Sequence, residues 1–577
     1  MTFVLLCCGC NKESSISPRT ASDKKVSQES GQHIPEIGKQ GGTLTLSTVS
    51  DPKSFNPVVA KETSTTEITN LIFEGLTRMD GVNLEVKPNL ARSWDISEDG
   101  LTFTFRLRDD VLWQDGEKFN SDDVIFTFND LIFNPAIPSS SRDIFTIDGK
   151  KFKVEKTGEY EVRFILPKRF APFLMSMSQE ILPKHILEKP LKEGRFNYAW
   201  GIDAAVNEIV GTGPFKLAKY LPGERVILER NPLYWKRDSF GKSLPYIEKI
   251  VYLIVQNQDT AFLKFKEGEI DYYGMRGEDY PELKPLEARH NFTVFNTGPA
   301  FGENFLVFNQ NSGVNPQTNK NFVEPQKLEW FRNKRFRQAI SCAIDKASII
   351  NIVLNGLGIP QYSSMSPASG FFYNPDVVKY EYNIEKAKTI LKEEGFVIRD
   401  GFLEDAGGRR VEFNLYTNSE STERIKIAQI IRKDLENLGM RVNFLPLEFN
   451  LLVSKLDSTY DWDAIVLGLT GGIEPHFGAN VWLSSGHLHL WYPRQPKPST
   501  AWETRIDEIF VQGVQEFDRN KRKTLYDEWQ VLVSENLPLI YTALPLSIFA
   551  VRNKFGNLYP TSYGGAFHNL EEIYIKP

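Results

Sequence analysis

The first candidates for chemistry in this chain are its histidines, and they are scarce. The chain holds 7 His among 577 residues, and only His487 and His489 stand close enough together to resemble a metal-binding pair. No H-E-x-x-H zinc helix and no G-x-S-x-G nucleophile turn occurs. Two exposed imidazoles in a loop explain the pair more simply. We therefore predict no metal site, no cofactor and no catalytic centre.

The glycines of Gly211-Thr-Gly-Pro-Phe215 are a second candidate, because they could be taken for a phosphate-binding loop. A nucleotide loop requires G-x-x-x-x-G-K-(S/T) and a helix that follows it. Here the next residues, Phe215 to Tyr220, follow a strand pattern. A turn at Pro222-Gly223 then leads into Arg225 to Arg230 as the returning strand. The sequence predicts a hairpin at this place and excludes a nucleotide site.

Composition limits the class of protein. Apolar residues make up 41% and charged residues 25% of the chain, which is typical of a soluble globular protein with a large core. The net charge is −6, so a broadly basic, nucleic-acid-binding surface is not expected. Aromatic residues reach 12%, enough to fill the core and also to line a cleft that stacks on a ligand.

Four cysteines are present, and they form no disulfide framework. Cys7, Cys8 and Cys10 crowd the N-terminus, whereas Cys342 stands alone in a helical pattern. The spacing fits neither a zinc site nor a set of structural disulfides. We expect Cys342 to lie buried on a helix face, where burial keeps a thiol unreactive.

The N-terminal segment MTFVLLCCGC is similar to the end of a bacterial lipoprotein signal, in which small residues precede a lipidated cysteine. We predict lipidation at Cys10, with Cys8 as the rival, and hence an extracytoplasmic, membrane-anchored protein; a cytosolic chain is the alternative. Residues 11–40 are rich in Ser, Lys, Glu and Gln, so they predict a disordered tether. No later apolar run is long enough for a transmembrane helix.

The elements that would position a site alternate between strands and helices. Leu101 to Leu107 alternates apolar and polar residues with the period of a half-buried strand. Asn120 or Ser121 offers a helix N-cap ahead of two aspartates. Val411 to Thr417 and Arg441 to Leu447 predict strands on either side of an amphipathic helix at Glu423 to Leu438. This alternation predicts an α/β fold with parallel strand pairs.

Several long strings resemble one family. Pro88 to Trp94 matches P-x-LA-x-SW, Ser97 to Arg108 matches SEDGLT-x-TF-x-LR, and Asp115 to Val124 matches DG-x-x-F-x-x-x-DV. GTGPF-x-L at Gly211 and ERNP-x-YW at Glu229 follow in order. Together these strings resemble the family-5 solute-binding proteins of peptide and nickel ABC importers, and the resemblance extends from Gly41 to about Tyr574.

The resemblance implies a large, two-lobed fold of the periplasmic-binding-protein type with an extra subdomain in the first lobe. We expect the following division: 1–10 signal remnant, 11–40 tether, 41–75 first segment of lobe I, 76–205 extra subdomain, 206–300 second segment of lobe I, 301–500 lobe II, and 501–577 return to lobe I.

The resemblance also implies where a ligand is held. In the family, the stretch equivalent to Val58 to Thr66 lies along the cleft, and the stretch equivalent to Gly468 to Trp482 sets ligand choice. The predicted ligand-binding residues are Glu62, Ser64, Thr65, Leu469, Thr470, Gly471, Gly472, Glu474 and Trp482. For the first three, a solvated loop with helix-capping hydroxyls is an equally good interpretation.

One departure from the family concerns the ligand's amino group. Peptide binders often carry an acid just after a Gly-Trp-x-x stretch, where it pairs with the α-amino group of the peptide. Here the equivalent run, Leu469 to Gly472, contains no acid before Glu474. Either Glu474 binds an ammonium or the ligand lacks that group, and a charge-assisted hydrogen bond is worth about 1.5–3 kcal/mol.

The function implied by the resemblance is capture of a small solute for an ABC importer, without chemical conversion. An oligopeptide ranks first, and a non-peptide such as an oligosaccharide or a metal chelate second. The implied partners are the permease subunits and, through the lipid, the membrane; we expect a monomer that binds no nucleic acid. An extracytoplasmic hydrolase on the same scaffold and a receptor for a membrane sensor remain open as alternatives.

Overall fold

The computed structural model describes residues 35–577 except 60–62, 140, 148, 317 and 487. The predicted lipidation at Cys10 therefore lies outside the described residues, and so do the predicted site residue Glu62 and the histidine His487. Within the described part of the chain, no helix is both long and apolar enough to cross a membrane.

The last residues of the predicted tether belong to the body of the protein. Residues 35–40 lie against the body of the protein: the backbone N–H of Glu36 donates to Asn557 Oδ1 at 2.9 Å, and the side-chain amide of Gln40 donates to the carbonyl of Ser243 at 2.8 Å. The predicted boundary at residue 40 is wrong for this described part, because its polar groups find partners on the body.

The chain enters the first lobe with one strand and one helix, β1 (Thr43–Thr48) and α1 (Thr63–Ile72). Alternate residues of β1 are buried, as expected for a strand with one face on a core. The helix buries Ile68 and Ile72 in the same core.

The inserted subdomain follows, built on an antiparallel sheet with the strand order β4-β5-β9-β8. Its elements are β2 (Thr77–Met79), β3 (Val86–Pro88), β4 (Ala91–Ile96), β5 (Thr102–Leu107), α2 (Ser121–Ile125), α3 (Ser141–Ile144), β6 (Thr146–Ile147), β7 (Lys150–Lys151), β8 (Lys153–Gly158), β9 (Glu161–Ile165), α4 (Phe173–Ser176) and α5 (Lys184–Lys192). The predicted strand at 101–107 is confirmed as β5, and Asn120 caps α2 by accepting from the Asp122 N–H at 2.8 Å. Leu187 and Trp200 pack in the first-lobe core, whereas Val210, beyond the predicted boundary at 205, packs in the core of this subdomain.

The chain then returns to the first lobe and completes its main sheet. The elements are β10 (Phe215–Leu221), β11 (Arg225–Arg230), β12 (Lys249–Ile254), α6 (Gln258–Glu267), β13 (Tyr272–Gly274), α7 (Tyr280–Leu283), α8 (Glu287–His290) and β14 (Phe292–Pro299). The predicted hairpin is confirmed as β10 and β11. β1 pairs with β12 in parallel, which gives the strand order β1-β12-β11-β10.

The second lobe is a five-stranded mixed sheet covered by helices. Its elements are β15 (Glu303–Phe308), α9 (Pro325–Arg332), α10 (Lys334–Ala343), α11 (Lys346–Ser348), β16 (Gly358–Pro360), α12 (Ile384–Glu393), β17 (Val397–Arg399), β18 (Phe402–Glu404), β19 (Glu412–Asn418), α13 (Thr422–Glu436), β20 (Arg441–Leu447), α14 (Phe449–Ser454), β21 (Ala464–Leu469), α15 (Ala479–Trp482), α16 (Ala501–Gln515), α17 (Arg519–Asn536) and β22 (Leu539–Tyr541). The strand order is β20-β19-β21-β15-β22, and β19 runs parallel to both β20 and β21. The predicted α/β class with parallel pairs is confirmed.

Both faces of this sheet are covered. Every residue of β15 is buried, and successive side chains of a strand point to opposite faces. Leu306 and Phe308 join one hydrophobic cluster, whereas Phe305 and Val307 join the other. Cys342 is fully buried in the first of these clusters, as predicted.

Helices α16 and α17 belong to the second lobe and not to the return segment predicted from residue 501. Phe510 and Trp529, for example, pack in the same cluster as Phe305 of β15. The predicted boundary at 501 is therefore wrong, because the apolar faces of these helices cover the second-lobe sheet.

Within the described residues the chain crosses between the lobes twice, through residues 300–302 and through Thr542, which together we call the linker. Before and after Thr542, β22 pairs with β15 in the second lobe and β23 (Ala543–Arg552) pairs with β14 in the first lobe. The last strands, β24 (Phe555–Gly556) and β25 (Tyr574–Ile575), close the first lobe. The predicted two-lobed fold of the periplasmic-binding-protein type is confirmed.

Candidate functional site

The carboxyl edge of the second-lobe sheet meets the linker. Strands β19, β20 and β21 run parallel to one another, so their carboxyl ends lie at one edge. β15 is antiparallel to β21 and follows the linker directly, so its first residue, Glu303, lies at that edge too. Ligands of open α/β sheets bind outside the carboxyl ends of parallel strands. This edge is therefore the candidate site.

The predicted residues Leu469 to Gly472 are brought together at this edge, in the loop that follows β21. Leu469 pairs with Glu303, and Thr470 and Gly472 are exposed. Gly471 has φ +65, and a Cβ at this position would lie only 2.1 Å from the carbonyl oxygen of Phe301. The loop thus rests directly on the linker, and only glycine fits at 471.

Two serine hydroxyls fix the loop and the linker to one turn of the second lobe. Ser366 Oγ donates to the carbonyl of Ala300 at 2.7 Å, and Ser369 Oγ donates to the carbonyl of Gly472 at 2.8 Å. Both serines are buried and belong to, or immediately precede, a short 3-10 helix at Pro367–Phe372. The loop is therefore held in place before any ligand arrives.

The first lobe contributes an aromatic wall beside the linker. The rings of Phe301 and Tyr563 meet edge to face, with their centroids 5.9 Å apart and their planes at 75°. The neighbouring Ser562 hydroxyl donates to the carbonyl of Thr297 in β14. Tyr563 is 39% exposed, so its ring can contact the linker and also a solute lying against it.

A charged pair that the sequence interpretation missed lies at the same edge. Arg424, near the start of α13, donates to Asn418 Oδ1 at 3.0 Å and to Asn304 Oδ1 at 3.3 Å, while Glu423 accepts from the Asn304 side chain at 3.2 Å. Burial lowers the pKa of Arg424, and Glu423 opposes that effect; burial raises the pKa of Glu423. A partly dehydrated cation and anion thus lie side by side where a ligand would be held. The signal in the sequence was a helix N-terminus directly after a parallel strand.

Beneath the linker lies a buried acid. Glu303 is 8% exposed and accepts a hydrogen bond from Gln361 Nε2 at 3.1 Å. Burial raises the pKa of Glu303 to about 8, although the hydrogen bond from Gln361 acts in the opposite direction. The side-chain oxygen of Gln361 is buried and has no hydrogen-bond partner among the described residues, so it is available to a protonated Glu303. The carboxyl is therefore largely un-ionised at neutral pH.

Glu474, predicted to meet a ligand ammonium, is held by the protein itself. Its Oε1 lies 2.6 Å from a terminal nitrogen of Arg522 in α17, and both side chains are buried. The same carboxylate accepts from the His476 N–H at 3.1 Å and so caps the short helix that follows. The structure thus gives the charge of Glu474 a partner inside the second lobe.

The remaining predicted residues lie elsewhere. Ser64 Oγ donates to the carbonyl of Asp51, and Thr65 Oγ1 accepts from the Lys53 N–H, so both hydroxyls hold the turn after β1. Trp482 is 5% exposed and packs against Trp529 with ring centroids 5.0 Å apart. The structure therefore brings residues 469–472 together at the linker and places these three side chains in turns and core.

Away from the linker, the second lobe also contacts the inserted subdomain. The N–H of Ala171 in the inserted subdomain donates to the carbonyl of Val514 in α16 at 2.7 Å. Beside it, the rings of Phe170 and His476 meet edge to face at 5.6 Å, and the guanidinium of Arg169 lies 5.5 Å from the ring of Phe517. The two lobes are thus held together at the linker and also through the inserted subdomain.

Comparisons with known proteins agree with this fold. The family model for the middle region of bacterial extracellular solute-binding proteins, family 5, matches residues 85–488. A probable ABC transporter-binding protein of Deinococcus radiodurans is 30% identical over 538 residues, which is 88% of each chain. The oligopeptide-binding protein AppA of Bacillus subtilis is 28% identical over 91% of this chain and 90% of its own. The structure of AppA with a nonapeptide superimposes with a TM-score of 0.72 at 26% identity, covering 94% of this chain and all of that one.

Removing the charge of Glu474 should test its structural role. In Glu474→Gln the buried guanidinium of Arg522 loses its ion partner, and breaking a buried pair in this way costs about 3–5 kcal/mol of the free energy of unfolding. Urea denaturation of the variant measures the loss. The control is Glu98→Gln, at an exposed position of the inserted subdomain, which should be neutral. A Glu474→Gln variant as stable as the control would contradict the assignment.

The buried carboxyl of Glu303 should make stability depend on pH. Between about pH 4.5 and about pH 8 the unfolded chain releases this proton and the folded chain keeps it, so its contribution to stability falls as the pH rises and levels off above pH 8. Glu303→Gln removes this dependence. Thermal unfolding from pH 5 to pH 8 should show the wild type losing stability relative to the variant, whereas parallel curves would refute the raised pKa.

Proposed function

We propose a peptide as the ligand of this chain, which belongs to the bacterial extracellular solute-binding proteins of family 5. Solute-binding proteins of this family capture a molecule outside the cytoplasm for an ABC importer, and a relative covering 88% of the chain is described as an ABC transporter-binding protein. The observation that supports a peptide is the exposed loop at residues 470–472, which lies at the same sheet edge as Arg424 and Glu423. An extended peptide offers backbone groups to such a loop and its terminal carboxylate to Arg424.

The absence of an acid in residues 469–472 limits the contacts by which a peptide could be held. Glu474 is paired with Arg522. Neither the loop at residues 469–472 nor Glu474 therefore supplies a carboxylate for the α-amino group of a peptide. The peptide is then held chiefly by its backbone and by the pairing of its carboxylate with Arg424. A solute without an ammonium, such as an oligosaccharide or a metal chelate, is the second candidate, and the same missing acid favours it.

Capture proceeds by movement about the linker. Residues 300–302 and Thr542 are the two covalent crossings between the lobes, and short crossings of this kind act as hinges. When the lobes close, water is excluded from the sheet edge and each polar contact with the solute is strengthened. The permease then recognises the closed shape.

We also propose what happens to the solute, where the protein acts and how many copies act together. The chain releases its solute chemically unchanged, acts outside the cytoplasm, and remains attached to the membrane by a lipid on Cys10 and the tether that follows. It acts as a monomer. Incubation with a retained peptide followed by mass spectrometry tests the first point, because a shortened peptide would indicate a hydrolase.

Native mass spectrometry of the protein, purified from its host without refolding, tests the ligand class. We expect a family of bound masses that sequence as peptides of mixed composition, because contacts made to the backbone do not select side chains. A single sugar or chelate mass would overturn the peptide assignment and establish the second candidate.

Gly472→Asp tests the binding mode. Position 472 is exposed, and a Cβ added there would meet no atom within 4 Å, so an aspartate fits. A charge-assisted hydrogen bond of about 1.5–3 kcal/mol should tighten binding of a peptide with a free amino terminus by roughly 10- to 100-fold. The affinity for the N-acetylated peptide should not change. Gly472→Asn is the matched neutral control, and equal gains in both variants would show that the added carboxylate does not meet the amino group at this loop.

A further inference from the structure

A recess with a volume of about 230 Å³, which we call the polar recess, lies in the second lobe at the far end of β15. Gln310 lines it, just beyond the end of that strand, and its backbone N–H donates to the carbonyl of Trp491 at 2.7 Å. Glu303 marks the opposite end of β15, at the linker. At about 3.3 Å per residue, roughly 20 Å separates the two ends, so this polar recess is distinct from the candidate site.

The polar recess carries an excess of positive charge. Arg332, Lys334 and Arg337 line it together with a single acid, Glu503. The side chains of Arg332 and Lys334 are exposed, and within the described ranges neither forms a hydrogen bond or an ion pair. Two cations without partners at the mouth of one recess attract an anion.

The acid in the polar recess does not neutralise these cations. Glu503 Oε1 accepts from Trp491 Nε1 at 3.0 Å and from Gln495 Nε2 at 2.9 Å, and Oε2 accepts from Thr500 Oγ1 at 2.8 Å. Burial alone would raise its pKa, but hydrogen bonds, including one from His489, lower the pKa to about 2. The carboxylate is thus ionised and fully occupied by the protein's own donors.

Two buried groups in the wall are fixed and suited to an anion. Arg337 is 2% exposed, and the carbonyls of Phe331, Asn536 and Leu537 hold its guanidinium in place. Gln310 is 7% exposed, and its side-chain Nε2 has no hydrogen-bond partner among the described residues. Because leaving a buried donor unpaired is unfavourable, this amide is suited to donate to an acceptor that comes from outside the chain.

We propose that the polar recess binds a small oxyanion, a carboxylate or a phosphate group, between the cations of Arg332 and Lys334 and the side-chain amide of Gln310. Trp502, which also lines the recess, offers an apolar surface for whatever part of the ligand carries the anion. This site is independent of the solute captured at the linker.

Titration with inorganic phosphate and with benzoate, followed by calorimetry and by tryptophan fluorescence, tests the proposal. The wild type should bind at least one of the two anions saturably. Arg332→Gln and Lys334→Gln should each weaken that binding about three- to tenfold, and the double variant should weaken it further, because each removes one unpartnered charge. If benzoate binds more tightly than phosphate, the apolar surface of Trp502 contributes to binding. If phosphate binds more tightly, the charge of the anion is the main determinant of its affinity.

Arg289→Gln, an exposed arginine in α8 of the first lobe, is the matched control and should leave anion binding unchanged. The absence of saturable binding of both anions by the wild type, or an unchanged affinity in the double variant, would overturn the proposal. Native mass spectrometry of the double variant separates this outcome from the proposed function, because the solutes retained at the linker should be the same as in the wild type.

Discussion

The architecture depends on how the chain crosses between two separately packed cores without leaving its backbone unpaired. Thr542 is fully buried at one crossing, and its N–H and hydroxyl both donate to the carbonyl of Asn304 at 3.0 and 2.9 Å. Its own carbonyl accepts from the Gln361 N–H at 3.1 Å. An unpaired buried backbone group would be costly, so these bonds allow one residue to join two sheets. The lobe movement proposed above would therefore turn about a residue whose backbone groups are already hydrogen-bonded.

Much of the fold could be predicted because local patterns decide it. The alternation at 101–107 and the cap at Asn120 require only neighbouring residues, and the strand-helix-strand pattern at 411–447 requires only a parallel crossover. The place of α16 and α17 could not be predicted in this way. An amphipathic helix shows that it covers a core, but its sequence does not show which of two cores it covers.

The candidate site was predictable only in part, and for the same reason. Residues 469–472 follow a strand and resemble a family string, so their position at a sheet edge could be anticipated. The ion pair of Glu474 joins positions 48 residues apart in the chain, and no local pattern reveals such a partner. Arg424 was overlooked because its importance comes from the meeting of three strand ends. The charge balance of a site depends on contacts that form only in the folded protein, whereas the position of the site can be anticipated from the local sequence.

The contact between Ala171 and Val514 has a consequence for how affinity and selectivity evolve. This backbone hydrogen bond joins the lobes away from the linker and can form only when they are together. Changes near Arg169 or Phe517 would alter the fraction of molecules that are shut at rest, and the apparent affinity scales with the competent fraction. The apparent affinities for all solutes would then rise or fall by the same factor. Selection can therefore retune uptake to scarce or abundant nutrients here while the preference among them stays untouched.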